Sequence, residues 1–320
     1  MQFSEKTYVG KIVSVNTSSK NGIVKTPVDF IKLTQFGILN DSHAGKWHRQ
    51  ITLLSKETID EFAEKMNYKI LEGEFAENIT TCESDLSKVK LFDRFIIGDA
   101  ILEVTQIGKK CHGHTCAIFK KIGECIMPKQ GVFCRVIEYN NQQKIKKNDE
   151  IHLLSSLLKI GIVTVSDSVF DKTRSDITGP KIKKILQEFF SKENFNIEIY
   201  NEIVSDDPEM LKSKLINMDN DNLDIIITTG GTGISKRDNT PDVVSNIITK
   251  NISGINEFIR VKYGYDNPNV LLSRSISGIT KNSTLVYTLP GSVNAIEEYL
   301  DIILPTLKHS LCLVNNITEH

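Results

Sequence analysis

The 320-residue chain has no surplus of charge: 39 Lys and Arg stand against 40 Asp and Glu, a formal net charge of −1. That balance removes any composition-level case for nucleic acid or an anionic membrane as an obligatory partner. No apolar run approaches the roughly 18 residues of a membrane span, and the opening Met-Gln-Phe-Ser-Glu-Lys lacks the basic-then-apolar order of a secretory signal. A cytoplasmic protein is the expectation. Cysteine is scarce, with six in the whole chain, too few for a disulfide scaffold; in a reducing compartment they are buried, reactive or metal-bound. The length exceeds the usual single-domain size, so two domains of about 150 residues each, both able to bury a core, are expected. These absences leave a small-molecule enzyme as the best fit.

What is present centres on residues 224–242. An apolar run ends at Thr229 in Gly230, Gly231, Thr232 and Gly233, followed by Asp238 and a helix-opening Thr240-Pro241. Small residues free backbone N–H groups to point at an anion, a helix N-terminus adds positive charge, and a nearby carboxylate can hold a cation: this is a phosphate site. The loop has neither Gly-x-x-x-x-Gly-Lys-Ser/Thr nor Gly-x-Gly-x-x-Gly spacing, which argues against P-loop hydrolysis and nicotinamide binding.

Around it, apolar runs at 160–165, 197–204, 223–227 and 285–289 alternate with helical stripes. Helices open at Pro180, at Asp207-Pro208 and at Thr240-Pro241, the last with Val243, Val244, Ile247 and Ile248 on one side. A final helix over 292–309 should kink or end about a turn before Pro305. The pattern predicts an α/β domain of three layers, a mostly parallel sheet covered by helices on both faces. In such sheets ligands bind beyond the carboxyl ends of the strands, where Ser166-Asp167-Ser168, Ser205-Asp206-Asp207, the glycine loop and Pro290-Gly291-Ser292 all fall. Asp206 and Asp238, with Asp176 or Asp242 as further carboxylates on that rim, suit Mg²⁺ shared with substrate phosphates; Asp207 and Asp242 read better as helix-end residues. Ser166, Asp167, Ser273, Arg274, Gly291 and Ser292 are additional rim candidates.

The first half reads differently. Short runs rich in β-branched and aromatic residues at 7–15, 50–54, 94–105 and 131–138 predict strands of a closed or folded-over barrel, with one helical stripe over 55–66. Residues 144–154 read as a hairpin closing this domain, and the boundary falls near 155–158, giving domains 1–155 and 156–320. The polar loop 37–50 carries His43, His48, Arg49 and the only Trp, at 47. It is either an anion site, since Arg offers a planar fork of donors and His another, or a surface loop held by its own hydrogen bonds. The segment 108–116 places Cys111 among Lys109, Lys110 and His112, where a thiolate would be nucleophilic and suited to carrying sulfur. Cys111, His112, His114 and Cys116 could instead ligate zinc, although the spacing does not match the usual pairs. Cys134 reads as a buried small hydrophobe.

Two resemblances follow from ordered sets of motifs. Gly37 to His43, His48-Arg49-Gln50, Gly73-Glu-Phe-Ala-Glu-Asn-Ile-Thr-Thr81, Gly98-Asp99, Cys111 and Met127-Pro-x-x-Gly-Val-Phe133 together resemble the MOSC domain over about 5–154. That resemblance implies a sulfur-bearing role for Cys111 and a pterin or anion site at His43 and Arg49; the His112, His114, Cys116 and Cys125 cluster departs from a one-cysteine carrier. Val165-Ser-Asp-Ser168, Asp176-Ile-Thr-Gly-Pro180, Ile203-Val-Ser-Asp-Asp207, Thr228-Thr-Gly-Gly-Thr-Gly233, Arg237-Asp-Asn-Thr-Pro241, Leu272-Ser-Arg-Ser275 and Leu289-Pro-Gly-Ser292 resemble the molybdopterin-binding Mog/MoaB-like domain over about 159–314. Ser205 and Asn239 stand where that family commonly has Pro and Val. This second resemblance implies Mg-ATP-dependent adenylylation of molybdopterin, with Asp206 and Asp238 at the motif aspartates, in a homo-oligomer, a trimer. Molybdate-inserting proteins or molybdoenzymes would be the further partners. The alternative is a non-catalytic pterin-binding or carrier protein that grips a phosphate without turning over ATP.

Overall fold

A computed structural model describes residues 1–20, 23–110 and 117–318, with 117 and 118 as backbone only. The chain divides into two compact units: Phe3–Ser156 with Ile317–His320, and Leu157–Asn316 with Met1–Gln2.

In the first unit seven strands close into a ring, in the order Glu150–Leu154, Arg94–Ile97, Ala100–Ile107, Val132–Glu138, Ile51–Ser55, Ile79–Cys82 and Thr7–Thr17, the last pairing back to Glu150–Leu154. Six of the junctions are antiparallel. The parallel one, between Ile51–Ser55 and Ile79–Cys82, is made by a crossover through the helix Lys56–Met66, as parallel pairing requires. Ser55 caps that helix by accepting from the Thr58 N–H, and Asn67 closes it in the left-handed region. Strand alternation sorts the core: Leu53, Val132 and Cys134 point into the barrel, whereas Leu54 and Phe133 point outward and bury Ile59 and Phe62 of the helix. The expected strand over 94–105 is two strands with a turn at Gly98-Asp99. The expected hairpin over 144–154 does not form. Ile145–Lys146 pairs with Phe30–Ile31, while Glu150–Leu154 joins the ring. Nonlocal partners with apolar faces to cover outcompete the local turn.

In the second unit the sheet order is Ile197–Val204, Ser156–Val165, Ile225–Thr229, Leu285–Leu289, Ser277–Thr280 and Ile248–Asn251. The first four strands are parallel and the last two are added antiparallel. Val163, Val165, Ile226 and Val286 share one face with Leu211, Leu215 and Met218 of the helix Pro208–Asn220 and with Val243 and Val244. Alternation sends the fully buried Ile162, Ile227 and Tyr287 to the other face. The helix at Thr240–Ser245 is only six residues long; Ile248 belongs to a strand, so the expected four-residue apolar stripe is shared between two elements. The last helix runs from Val293 to Val314 with Pro305 inside it, so it does not end before the proline. The predicted stop fails because Ile296, Tyr299, Leu300, Ile303, Leu307 and Leu311 form one buried stripe on both sides of the proline. Burial of six large apolar side chains outweighs the loss of about 3 kcal/mol that an interior proline brings. Among the described residues no helix is long and apolar enough to cross a membrane.

Candidate functional site

Because the four parallel strands run the same way, their carboxyl ends meet on one edge of the sheet. That edge is stitched together by hydrogen bonds. The Ser166 N–H donates to Val204 O at 2.9 Å, the Gly230 N–H to Leu289 O at 3.0 Å, and Thr229 Oγ1 to Pro290 O at 2.9 Å. Two adjoining cavities open there. One, of about 400 Å³, is walled by Gly230 to Ile234, Asp238, Ser273 and Tyr299; the other, of about 340 Å³, by Ser166, Arg174, Asp176 and Thr178. Gly230, Gly291 and Ser292 belong to both walls.

The glycine loop is bent to positive φ at two positions. Gly230 has φ +105° and Gly231 φ +62°; a methyl on Gly230 would lie 2.3 Å from Val165 O. Thr240 does not cap its short helix. It donates from Oγ1 to Gly230 O at 2.9 Å and so pins the loop from behind. The positive helix end at this rim is that of the last helix instead: Ser292 accepts from the Ala295 N–H as its N-cap, and 22 residues follow.

The carboxylates separate into three roles. Asp238 Oδ2 accepts from the Ser235 N–H at 2.7 Å, and among the described residues its other oxygen has no hydrogen-bond donor. It is half-buried in the wall of the larger cavity, so it fits a single Mg²⁺ ligand, with substrate phosphates and water completing the shell. Asp206 lines neither cavity. Its Oδ2 accepts from the Asp167 N–H, and Asp167 Oδ1 accepts from the Asp206 N–H, both at 3.0 Å. Arg237 pairs with the other oxygen of Asp167. Asp206 and Asp238 therefore do not line the same cavity, and among the described residues no group of three His, Cys, Asp or Glu could hold a metal. Asp176 and Asp207 are helix-end residues: Asp176 Oδ1 accepts from the Thr178 and Gly179 N–H groups, and Asp207 from those of Glu209 and Met210.

Arg274, expected to face a ligand, is spent on the loop itself. It donates from Nε to Gly233 O at 2.8 Å and from Nη2 to Asp238 O, and pairs through Nη1 with Asp242 at 3.0 Å. Ser273 Oγ and Tyr299 OH lie 2.8 Å apart beside the larger cavity. Tyr299, Asn267, Asn269 and Arg174 also line the cavities and had no sequence signal; a tyrosine in an apolar helical stripe reads as core.

In the first unit, Cys111, His112, His114 and Cys116 lie outside the described residues. Cys134 is fully buried, and burial pushes its thiol well above the ordinary value. The loop bearing His43 and Arg49 is described. His43 and Trp47 stack with ring centroids 6.2 Å apart, Trp47 Nε1 donates to His43 O, and the Arg49 guanidinium carbon lies 5.0 Å from the Trp47 ring.

Residues 161–309 match the family described as "Probable molybdopterin binding domain", and residues 40–152 match the MOSC domain. The molybdopterin adenylyltransferase of Helicobacter pylori is 32% identical over 158 residues, covering 49% of this chain and 88% of that protein. The chain belongs to the molybdopterin-binding family of molybdenum cofactor biosynthesis proteins. Gephyrin of Dictyostelium discoideum is another relative of this family, 33% identical over 163 residues; the match covers 49% of this chain and only 22% of gephyrin. Among solved structures, the molybdopterin biosynthesis enzyme MoaB of Thermus thermophilus is similar at 34% identity and a TM-score of 0.44, over 50% of this chain and 97% of that one. The family match begins at Gly161 inside the first parallel strand and takes in all four rim loops.

Proposed function

We propose that the second unit transfers the adenylyl group of ATP to the phosphate of molybdopterin. The observation that carries this reading is the pair of cavities sharing one glycine wall: two phosphate-bearing molecules can occupy them with their phosphates meeting at Gly230 and Gly291. An oxygen of the pterin phosphate attacks the α-phosphorus, the bond from that phosphorus to the β-bridging oxygen breaks, and pyrophosphate leaves. The attacking oxygen is already ionised, so no strong general base is required. The chain contributes position and charge: the N–H groups of Gly231, Thr232 and Gly233 and the N-terminus of the last helix serve the phosphates, while the Gly230 N–H is bonded to Leu289 O. Mg²⁺, held by Asp238, would neutralise charge growing on the leaving group. Asp206 acts through the Asp167 and Arg237 contacts as an orienting residue. The first unit, by its MOSC match, binds the same cofactor. Incubating the full chain with molybdopterin and Mg-ATP should yield adenylylated pterin, and Asp238→Ala should slow its formation by about 100-fold. Pterin bound with no adenylylated product at any enzyme concentration would leave only the carrier reading.

A homo-oligomer, a trimer by family resemblance, is part of the same proposal. Phe258, Val261 and Tyr265 fall at i, i+3 and i+7, one stripe along and just past the helix Ser253–Gly264, and are 54, 58 and 86% exposed. Leu271 and Ile234 are also exposed. An apolar strip of this size on a small domain is expected to be covered by another chain. Light scattering should give a multiple of the chain mass that falls to a single chain in Phe258→Glu; a monomeric wild type would remove the proposal.

A further inference from the structure

Among the described residues, the wall of the smaller cavity carries two charged side chains, Asp176 and Arg174. Asp176 is fully engaged. Its Oδ1 accepts from the Thr178 and Gly179 N–H groups and from Thr178 Oγ1, and its Oδ2 accepts from Thr164 Oγ1 at 3.0 Å. Arg174 is the opposite case. Its backbone is pinned, since the Arg174 N–H and Thr173 Oγ1 both donate to Ser168 O at 2.9 Å. Its side chain is exposed, and among the described residues the guanidinium makes no hydrogen bond or ion pair. The other two arginines of this rim are committed: Arg237 pairs with Asp167, and Arg274 with Asp242 and the glycine loop.

The two cavities therefore differ in the sign of the charge each leaves available. The larger has Asp238, its sole charged wall residue among the described ones, with one oxygen free to hold Mg²⁺. ATP travels with Mg²⁺ and suits that side. A phosphate monoester such as that of molybdopterin carries about two negative charges at neutral pH. With the carboxylate side taken by Mg-ATP, the monoester needs a cation from the chain, and the smaller cavity has one. Arginine also has the right shape, because its planar fork grips two oxygens of a phosphate side by side. A monoester has three non-bridging oxygens, so the third stays free to attack. Gly230, Gly291 and Ser292, common to both walls, are where that oxygen would meet the α-phosphorus. Pyrophosphate then leaves with the electron pair of the broken bond, and Arg174 stays protonated throughout.

We propose that Arg174 binds and orients the phosphate monoester of the acceptor, which places the pterin phosphate in the smaller cavity and Mg-ATP in the larger. This rests on the reading that the second unit adenylylates molybdopterin. Calorimetry on the full chain tests it with molybdopterin, with dephosphorylated pterin, and with the unreactive α,β-methylene analogue of Mg-ATP. A charged hydrogen bond is worth roughly 10- to 100-fold in affinity, so Arg174→Ala should bind molybdopterin about 30-fold more weakly. Its affinity for the nucleotide analogue and for dephosphorylated pterin should stay within about twofold of wild type. Arg174→Lys, which keeps the charge without the fork, should fall between the two. In turnover, the KM for pterin should rise while that for ATP holds. Lys172→Asn is the control: it removes an exposed charge two residues away that lines neither cavity, at φ +58°, where Asn is tolerated. It should match wild type. The Arg174 substitutions remove no hydrogen bond or ion pair among the described residues, so the variants should fold.

Equal affinity of Arg174→Ala and wild type for molybdopterin would overturn the assignment. So would a loss confined to the nucleotide analogue, which would give the guanidinium to ATP, or an equal loss in Lys172→Asn, which would reduce it to a general field. Adenylylation by wild type with Arg174→Ala unimpaired sinks the role of Arg174 and leaves the transfer reading intact. Molybdopterin binding that depends on Arg174, with no adenylylated product, does the reverse.

Discussion

Gly230→Ala should reduce adenylyl transfer by about 100-fold or more, because a shift of about 1 Å in a phosphate cradle is enough to lose alignment. The added methyl would meet Val165 O at 2.3 Å on a backbone with φ +105°, where an L side chain is already strained. Neither neighbour can yield cheaply. Val165 is held in the parallel sheet, and the Gly230 N–H is bonded to Leu289 O on the next strand. The strain should also lower stability by about 2–3 kcal/mol. Thermal unfolding and single-turnover adenylylation of the same preparation measure both. Gly254→Ala is the control: a Cβ there meets nothing within 4 Å, so both quantities should stay near wild type. Full activity in Gly230→Ala would show that the loop does not cradle the reacting phosphates.

Glu77→Gln should stabilise the first unit above pH 7 and leave it nearly unchanged at pH 5. Glu77 is fully buried, and burial pushes its pKa up to about 7 even though Oε1 accepts from the Gly73 N–H at 2.5 Å and from Thr80 Oγ1 at 3.0 Å. Among the described residues its other oxygen is buried without a donor. A carboxyl with a raised folded pKa holds its proton more tightly when folded than unfolded. Between the unfolded value near 4.5 and the folded value near 7 the unfolded chain has lost a proton that the native state keeps, so stability falls as pH rises through that window and levels off above it. The total is about 3 kcal/mol. Glutamine mimics the protonated form and cannot ionise. Urea unfolding at pH 5 and pH 8, followed by Trp47 fluorescence, should therefore show a steep pH effect in wild type that shrinks by about 2–3 kcal/mol in the variant. The difference between the two proteins isolates Glu77 from Asp41, Asp93 and other carboxyls that titrate in both. Equal pH slopes would refute the assignment.

The second unit was legible where physics is local. Apolar runs marked three of the four parallel strands and an apolar-polar alternation the fourth, Ile197–Val204, Asp207-Pro208 marked a helix start, and strand-then-polar-loop order placed the glycine loop at the sheet edge. The helix Ser253–Gly264 was not seen, because Phe258 and Val261 are apolar yet exposed and blur its stripe. The order of the barrel strands was not legible either, since pairing between residues as distant as Tyr8 and His152 leaves no mark in a window of fifteen residues. Buried charge was the least legible. Nothing in the sequence marks Lys25, Asp41 and Glu77 as buried, and only the fold reveals it. Arg274 read as a rim candidate; three of its five N–H groups go to the loop and to Asp242.

Ring closure also bears on how the two units withstand partial unfolding. The barrel sheet offers a neighbouring chain little exposed backbone. Among the described residues its one strand outside the ring is Thr26–Val28, three residues long, and Pro27 has no N–H to share. The second unit has an open sheet whose strand Ile197–Val204 is paired on one side only, with Glu198 and Glu202 placed along it. Two negative charges on eight residues discourage a like strand from docking. Neutralising them by acid or by substitution would make this border, rather than the barrel, the place where self-association through strand addition begins.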